Sequence, residues 1–530
     1  MRSLLLTFAS LLLTCSAIFS QSMQMTPERK LQYAEMIISN FYVDTVNRDT
    51  IVDEAIRAML KTLDPHSAYS TPDETRELNE PLNGNFSGIG IQFNMATDTL
   101  YVIQTIAGGP SEQVGLLPGD RIIMVNDTLI AGVKMKNSDI MKRLRGPKGT
   151  VVNVKVQRHG VPSLIDFNIT RNDIPIYSID ASYMADPTTG YIRVSRFAEQ
   201  TPKEFSEALT ELRAKGMKNL IIDLQDNGGG YLNAAQELAS MFLKKGDLIV
   251  YTDAPRSKDY RYTAEKDGTF LDGRVVVLVN QYSASASEIL SGAIQDQDRG
   301  VIVGRRTFGK GLVQRPFPFP DGSMIRLTVS KYHTPSGRCI QKPYTKGDTE
   351  DYYNDIKHRY DAGEFMHSDS IHFPDSLQYK TLKNGRTVYG GGGIMPDRFI
   401  PIDTAWYTPY YRDIMAKGTL YQYTLGYVDA NREKIKEQYP TLEAFDKSFN
   451  VTPEMTQTLI NNAEKAGIKF NQEQYDKSAP TLLVIIKALI ARDIYKDGTY
   501  YVIANRLDPI YNEGIKLINT PKEYSKLLNR

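Results

Sequence analysis

The spacing of apolar residues changes several times along the chain, and each change marks a different kind of element. Over residues 26–80 it is helical, with Leu31, Ala34, Ile37 and Ile38 on one face and Ile51, Ala55, Ala58, Met59 and Leu63 on a second, which predicts an N-terminal helical arm. Pro65 and Pro72 break that pattern in LDPHSAYSTP, which reads as a loop. From 84 to 172 the runs become short and β-rich (GIGIQFN, LYVIQTI, DRIIMVND, VVNVKVQR), separated by Gly- and Pro-containing turns, as in a small β domain. Residues 173–400 carry continuous β-branched runs instead: LIIDL at 220–224, VVVLV at 275–279 and VIVG at 301–304. Strands without polar alternation are buried on both faces, and the first two lead through a turn into a helix, so an α/β core with a crossover-type mixed sheet is expected. Residues 343–390 are polar, tyrosine-rich and irregular, like an insertion, and 404–530 return to helical spacing as a C-terminal helical domain. The most apolar later stretch, LLVIIKALIA at 482–491, is interrupted by Lys487 and is too short to span a membrane, so it reads as a buried helix.

Composition narrows the function. The 63 basic and 62 acidic side chains nearly cancel and no like-charge run is visible, so the chain lacks the electrostatic footprint of a nucleic-acid binder. The first residues, MRSLLLTFASLLLTCSAIFSQS, combine one arginine, a short apolar run and small polar residues, which reads as a secretory signal over 1–20 and places the mature chain in the periplasm. Leu12 to Cys15 faintly resembles a lipoprotein attachment site, so membrane attachment through Cys15 is the alternative to soluble export. Cleavage of the signal leaves Cys339 alone, which excludes an intrachain disulfide, and the absence of any Cys/His cluster at ligand spacing implies neither metal nor cofactor.

The sharpest chemistry lies in YSASASEILSGAIQDQDRGVIVGRRTFGKG, residues 282–311. Ser285 precedes a helix with Ile289, Leu290, Ala293 and Ile294 on its apolar face, and Ser285 with Glu288 fits a capping box. Lys310 stands between Gly309 and Gly311 in a turn after the buried strand 301–304, a setting with little side-chain bulk. A buried lysine loses hydration of its charged form, so its pKa falls and the neutral amine becomes able to take a serine proton. The Ala286 amide and one glycine amide among Gly228, Gly229 and Gly230, in DNGGG at the end of another buried strand, are candidate oxyanion donors. A Ser–His–Asp arrangement drawing on His333 is the rival nucleophilic scheme.

Residues 84–172 resemble a PDZ domain, and the resemblance places the loop that holds a C-terminal carboxylate at Ser87, Gly88, Ile89 and Gly90. The stretch SASASEILSGAIQDQDRGVIVGRRTFGKGLVQ resembles the pattern of the carboxy-terminal processing, or tail-specific, proteases; LDPHSAY, FSGIGIQF, GLLPGDRI, RGPKGT, DNGGG, YHTPSGR and GIMPD extend the match over roughly 30–400. The resemblance implies a PDZ domain ahead of an α/β serine peptidase core, with Ser285 as nucleophile, Lys310 as general base 25 positions on, and Gln314 orienting the lysine. It leaves Ser283 and Ser287 as structural residues, and Gln225 stands where the family usually carries arginine. The implied partners are exported proteins with exposed apolar C-terminal tails. A catalytically inactive PDZ scaffold binding such tails is the alternative function.

Overall fold

The computed structural model describes residues 25–529 apart from 97, 107, 256–258 and 496–497; the expected signal segment and Cys15 lie outside the described residues. The core is a six-stranded sheet in the order Ile179–Met184, Thr189–Val194, Asn219–Asp223, Val275–Val279, Val301–Gly304, Arg398–Phe399. The first pair is antiparallel and the rest are parallel, the mixed crossover sheet expected from the β-branched runs. One face packs on helices Thr201–Ala214, Leu232–Ser240 and Ala286–Asp296 through Ile222, Val277, Leu238 and Leu290. The opposite face is covered by the end of the chain. Helices Pro509–Ile518 and Pro521–Leu527 bring Ile510, Leu517, Ile518 and Tyr524 against Ile221, Val276, Leu278 and Val301.

That second cover corrects the expected boundary at 404–530. The last turns of the chain are part of the core, because strands buried on both faces need two apolar layers and the helices between 201 and 296 supply only one. Gly514 marks how close the approach is, since a Cβ there would stand 2.8 Å from Leu278 Cδ2. The preceding helices, from Pro409–Ala416 to Gln472–Ile494, form a cluster of their own around Phe445, Leu459, Ile486 and Leu489. Stretch 482–491 is buried in it, and among the described residues no helix is long and apolar enough to cross a membrane.

A second sheet is built on the ten-residue strand Met324–His333, which pairs with Leu312–Pro318 on one edge and with Ala68–Ser70 and Leu248–Asp253 on the other. The segment expected as a loop, LDPHSAY, therefore contributes a strand and brings Asp64 and His66 to the core. The arm is helical over Pro27–Phe41 and Arg48–Lys61, with a third helix at Pro72–Asn83, but its predicted apolar faces are largely exposed: Leu31 is 48% and Met59 48% accessible.

Residues 91–170 form an antiparallel sheet in the order Ile91–Ala96, Thr99–Thr105, Arg121–Val125, Val151–Gln157, Ile165–Thr170, closed by helix Asn137–Leu144, whose Ile140 and Leu144 share a core with Leu100, Val102, Ile122 and Val154. Strand Ile91–Ala96 pairs only with Thr99–Thr105 among the described residues, so its outer edge is open. The chain enters and leaves this unit as a two-stranded stem, Asn85–Gly88 with Asn172–Pro175. The unit rests on the C-terminal helices through an Arg121–Asp429 ion pair at 2.8 Å, a bond from the Gln104 amide to the Arg492 carbonyl at 2.9 Å, and apolar contact between Ile103 and Leu425.

The expected irregular insertion holds helix Thr349–Asp361 and a hairpin, Gln378–Lys380 with Thr387–Tyr389. Its polar composition hides two buried anchors. Tyr352 packs edge-on against His66 and Phe308, and the Arg359 guanidinium donates to the carbonyls of Arg306 (2.7 Å) and Thr307 (3.1 Å), propping the turn that leads to Lys310.

Candidate active site

Two turns at the carboxyl ends of neighbouring parallel strands carry Ser285 and Lys310. Ser285 has φ 55° and ψ −112°, a conformation rare for any residue with a side chain, and is followed at once by helix Ala286–Asp296. Its neighbours in the alternating run are tied to the DNGGG loop: the Ser283 hydroxyl donates to the Leu224 carbonyl (2.7 Å) and that of Ser287 to the Asn227 carbonyl (2.9 Å). The Ser285 hydroxyl is not tied there.

The capping box places Glu288 at the junction of both turns. Fully buried, its carboxylate accepts from the N–H groups of Ser285 (2.8 Å), Gly309 (2.7 Å) and Lys310 (2.9 Å) and from the Thr307 hydroxyl (2.5 Å). Burial pushes its pKa up and these four donors oppose that shift. On the carbonyl side, the buried Tyr332 hydroxyl donates to the Lys310 oxygen at 2.6 Å and lies 3.2 Å from that of Ser285. The serine and lysine backbones are thus clamped together at both their N–H and C=O groups. Glycine on either side of Lys310 is needed for packing as well as for conformation. A Cβ at Gly309, where φ is 88°, would lie 3.1 Å from the Gly393 amide, and one at Gly311 would lie 2.8 Å from that of Gln341.

Burial is the first cause, and the positive charge of Arg326 the second, that brings the Lys310 pKa down to about 8; Glu288 and Asp64 pull the other way. Gln314 is not placed as the resemblance implies. Its amide donates to the Thr328 hydroxyl (3.1 Å), which donates to Asp64 (2.9 Å), and among the described residues it makes no hydrogen bond to Lys310. Its reach to the lysine therefore runs through Asp64, a residue that sequence reasoning passed over although LDPHSAY contains it. In the sequence Glu288 shows only as a helix cap, and Tyr332 carries no local signal at all.

The three glycines separate. The Gly229 amide is donated to the Asn227 side chain (2.9 Å), which removes it from the oxyanion candidates. The residue serves instead as a point of close approach: φ is 104° and a Cβ would stand 2.8 Å from Ser285 Cβ. Among the described residues the amides of Gly228, Gly230 and Ala286 have no hydrogen-bond partner. His333 faces away from this site, stacked on Tyr251 at 4.9 Å with Nδ1 3.0 Å from the Gly337 carbonyl. A different histidine, His66, comes near Lys310, but burial and the lysine's charge hold its pKa at about 3, so it is neutral, with Nε2 2.9 Å from the Tyr352 hydroxyl.

In the β domain, Ser87 and Gly88 belong to the stem, opposite Asp173 and Asn172. The Ile89 carbonyl is taken by the Ser111 amide (3.0 Å) and hydroxyl (2.6 Å), whereas among the described residues the amides of Ile89 and Gly90 have no partner. The amides of Ile89 and Gly90 thus stand open beside the free edge of Ile91–Ala96.

Comparison with known proteins gives the class first. The model of peptidase family S41 matches residues 188–351 and that of the PDZ domain matches 87–169, which defines a serine-type peptidase with a PDZ domain; a family of unknown function matches 410–497. Curated relatives include carboxy-terminal processing proteases CtpB and CtpA of Bacillus subtilis. CtpB is 36% identical over 59% of this chain and 65% of its own length, and CtpA is 34% identical over 62% and 72%. The carboxy-terminal-processing protease of Bartonella bacilliformis is 32% identical over 63% of this chain and 77% of its own. The chain belongs to the carboxy-terminal processing proteases.

Proposed function

We propose that the protein is an exported endopeptidase that cleaves other exported proteins near their C-termini, with Ser285 and Lys310 as its catalytic dyad. The observation that carries this reading is the shared clamp of Glu288 and Tyr332 on both backbones, together with a lysine amine whose pKa is brought to about 8 by burial. The neutral Lys310 amine takes the Ser285 hydroxyl proton as Oγ attacks the scissile carbonyl carbon. The carbonyl electron pair moves onto oxygen, where the Ala286 amide and that of Gly228 or Gly230 hold it. Collapse expels the amine, which takes the proton back from Lys310, and water then hydrolyses the acyl-enzyme by the same relay. Gln314 and Asp64 act through the lysine's surroundings. The open edge of Ile91–Ala96 and the amides of Ile89 and Gly90 are suited to take an extended apolar tail and its carboxylate by strand addition.

The test incubates Ser285→Ala and Lys310→Ala variants with an unfolded protein bearing an apolar tail. Neither is expected to cleave it, and parental rates from either would end the assignment. Mass measurement of the mature N-terminus decides between signal cleavage and lipidation at Cys15.

A further inference from the structure

A cavity of about 690 Å³ lies where the C-terminal helices meet the carboxyl ends of the core strands, within the size range of small-molecule sites. Its walls include Trp406, Ile485, Tyr500 and Leu507. The most buried charged group on them is Arg305, 8% exposed, which leaves the end of strand Val301–Gly304 on the way to Lys310. Its Nε donates to Gln281 Oε1 at 2.9 Å and Nη1 reaches the Ile400 carbonyl at 3.4 Å, and both acceptors are uncharged. Among the described residues Nη2 has no partner, and it is not one of the polar atoms sealed inside protein, so it is open to the cavity.

The other charged groups of the wall are engaged. Both Asp508 oxygens accept, from the Gln225 amide (2.6 Å) and the Ile510 N–H (2.9 Å). Asp403 caps the Ala405 N–H, Lys477 pairs with Glu473 and Arg506 with Asp446, all on exposed stretches. The Asp508 and Asp226 carboxylates act on the Arg305 charge through space but neither bonds it. A buried guanidinium with uncharged hydrogen-bond acceptors and a spare N–H, set among apolar side chains, is matched by a carboxylate with an apolar body.

We propose that this cavity binds a small carboxylate carrying an apolar side chain, with the carboxylate on Arg305 and the side chain against Trp406, Ile485 and Leu507. Two wall residues join such a ligand to the machinery: Arg305, on the turn to Lys310, is bonded to Gln281 on the turn to Ser285, and Asp508 is bonded to Gln225 beside the DNGGG loop. The same chemistry is offered by a free acylated amino acid and by a peptide's C-terminal residue, the kind of fragment that proteolysis releases. That last link rests on the proposed function, and the binding itself does not.

Trp406 is the single tryptophan of the chain, so its emission reports this cavity and not the PDZ edge. The experiment titrates full-length Ser285→Ala protein with N-acetyl-L-leucine and, separately, with N-acetyl-L-leucinamide at millimolar concentrations. A saturable change with the acid and none with the amide is expected, and Arg305→Gln is expected to weaken the acid by about tenfold or more, the worth of a charge-assisted bond. N-acetyl-Ala-Ala-Leu binding more tightly than N-acetyl-leucine assigns the site to peptide ends, and weaker binding assigns it to the smaller acids. An equal response to acid and amide, no response, or unchanged affinity in Arg305→Gln would overturn the proposal. The acid and amide comparison uses the unaltered cavity, so it decides the matter even if Arg305→Gln does not fold.

Discussion

Replacing Lys310 by methionine should make the protein more stable while destroying its activity, and the stability gain should disappear at high pH. The pKa of the amine is brought from 10.5 to about 8, first by burial and then by Arg326. Below about pH 8 the amine is charged in both the folded and unfolded chain, so the folded state carries the whole penalty, about 3 kcal/mol for a shift of this size. Between about pH 8 and 10.5 the unfolded chain keeps a proton that the folded chain has shed, and stability rises with pH. Above that interval both states are neutral and the penalty is gone. Methionine keeps an unbranched apolar stem and removes the charge.

The assay is calorimetric melting of Ser285→Ala and of the Ser285→Ala, Lys310→Met double variant, a background that prevents self-cleavage. Near pH 6 the double variant should gain about 3 kcal/mol, or about 6 to 12 °C for a core of more than 150 residues. Near pH 10 about 1 kcal/mol of the difference should remain. Equal melting near pH 6, or a difference that does not shrink with pH, would refute the account of a charge held in a dry site. In the parent enzyme kcat/KM should rise with pH through a midpoint near 8, since only the neutral amine accepts a proton.

Asp64→Asn removes a charge that raises the Lys310 pKa, so the midpoint of the pH–rate profile should move below that of the parent; an unmoved or higher midpoint counts against the contact. Gly229→Ala forces a Cβ to within 2.8 Å of Ser285 Cβ at φ 104°, and turnover should fall at least about a hundredfold, with about 1–3 kcal/mol of strain visible as a lower melting temperature. Arg121→Glu turns the Arg121–Asp429 ion pair into a repulsion, worth about 1 kcal/mol for a partly exposed pair; faster hydrogen exchange at Ile103 and Gln104 should report loosening of the PDZ domain from the C-terminal helices.

What the sequence disclosed follows how local each signal is. Ser285 and Lys310 lie in one contiguous strand, helix and strand unit, so their spacing survives as a pattern in the chain, and the β-branched runs disclosed burial on both faces. What covers the second face was hidden, because the amphipathic spacing of Pro509–Ile518 states that it packs and not on what. Asp64 was hidden for the same reason, reaching Lys310 only through pairing of Ala68–Ser70 with Met324–His333. A resemblance carries a residue's role but not its rotamer, and Gln314 turns to Thr328 where the lysine was expected. The insertion misled by composition, since tyrosine and arginine read as surface residues until Tyr352 finds aromatic neighbours and Arg359 finds carbonyls.

The buried Glu288 raises a question that the geometry answers. A carboxylate this close to a buried lysine would ordinarily pair with it and hold it charged, since an opposite charge favours the ionised amine. A carboxylate has room for about four donors, and here four are present, three backbone N–H groups and the Thr307 hydroxyl. Its hydrogen-bonding capacity is spent on holding the two turns, and among the described residues Lys310 makes no ion pair. The glutamate thus fixes the Lys310 backbone without neutralising the amine, while Asp64, tied up by the Ser67 and Thr328 hydroxyls, is likewise kept from bonding the amine. Positioning by backbone amides, with both nearby acids already satisfied, is what lets burial and Arg326 prevail and leaves a neutral lysine within reach of physiological pH.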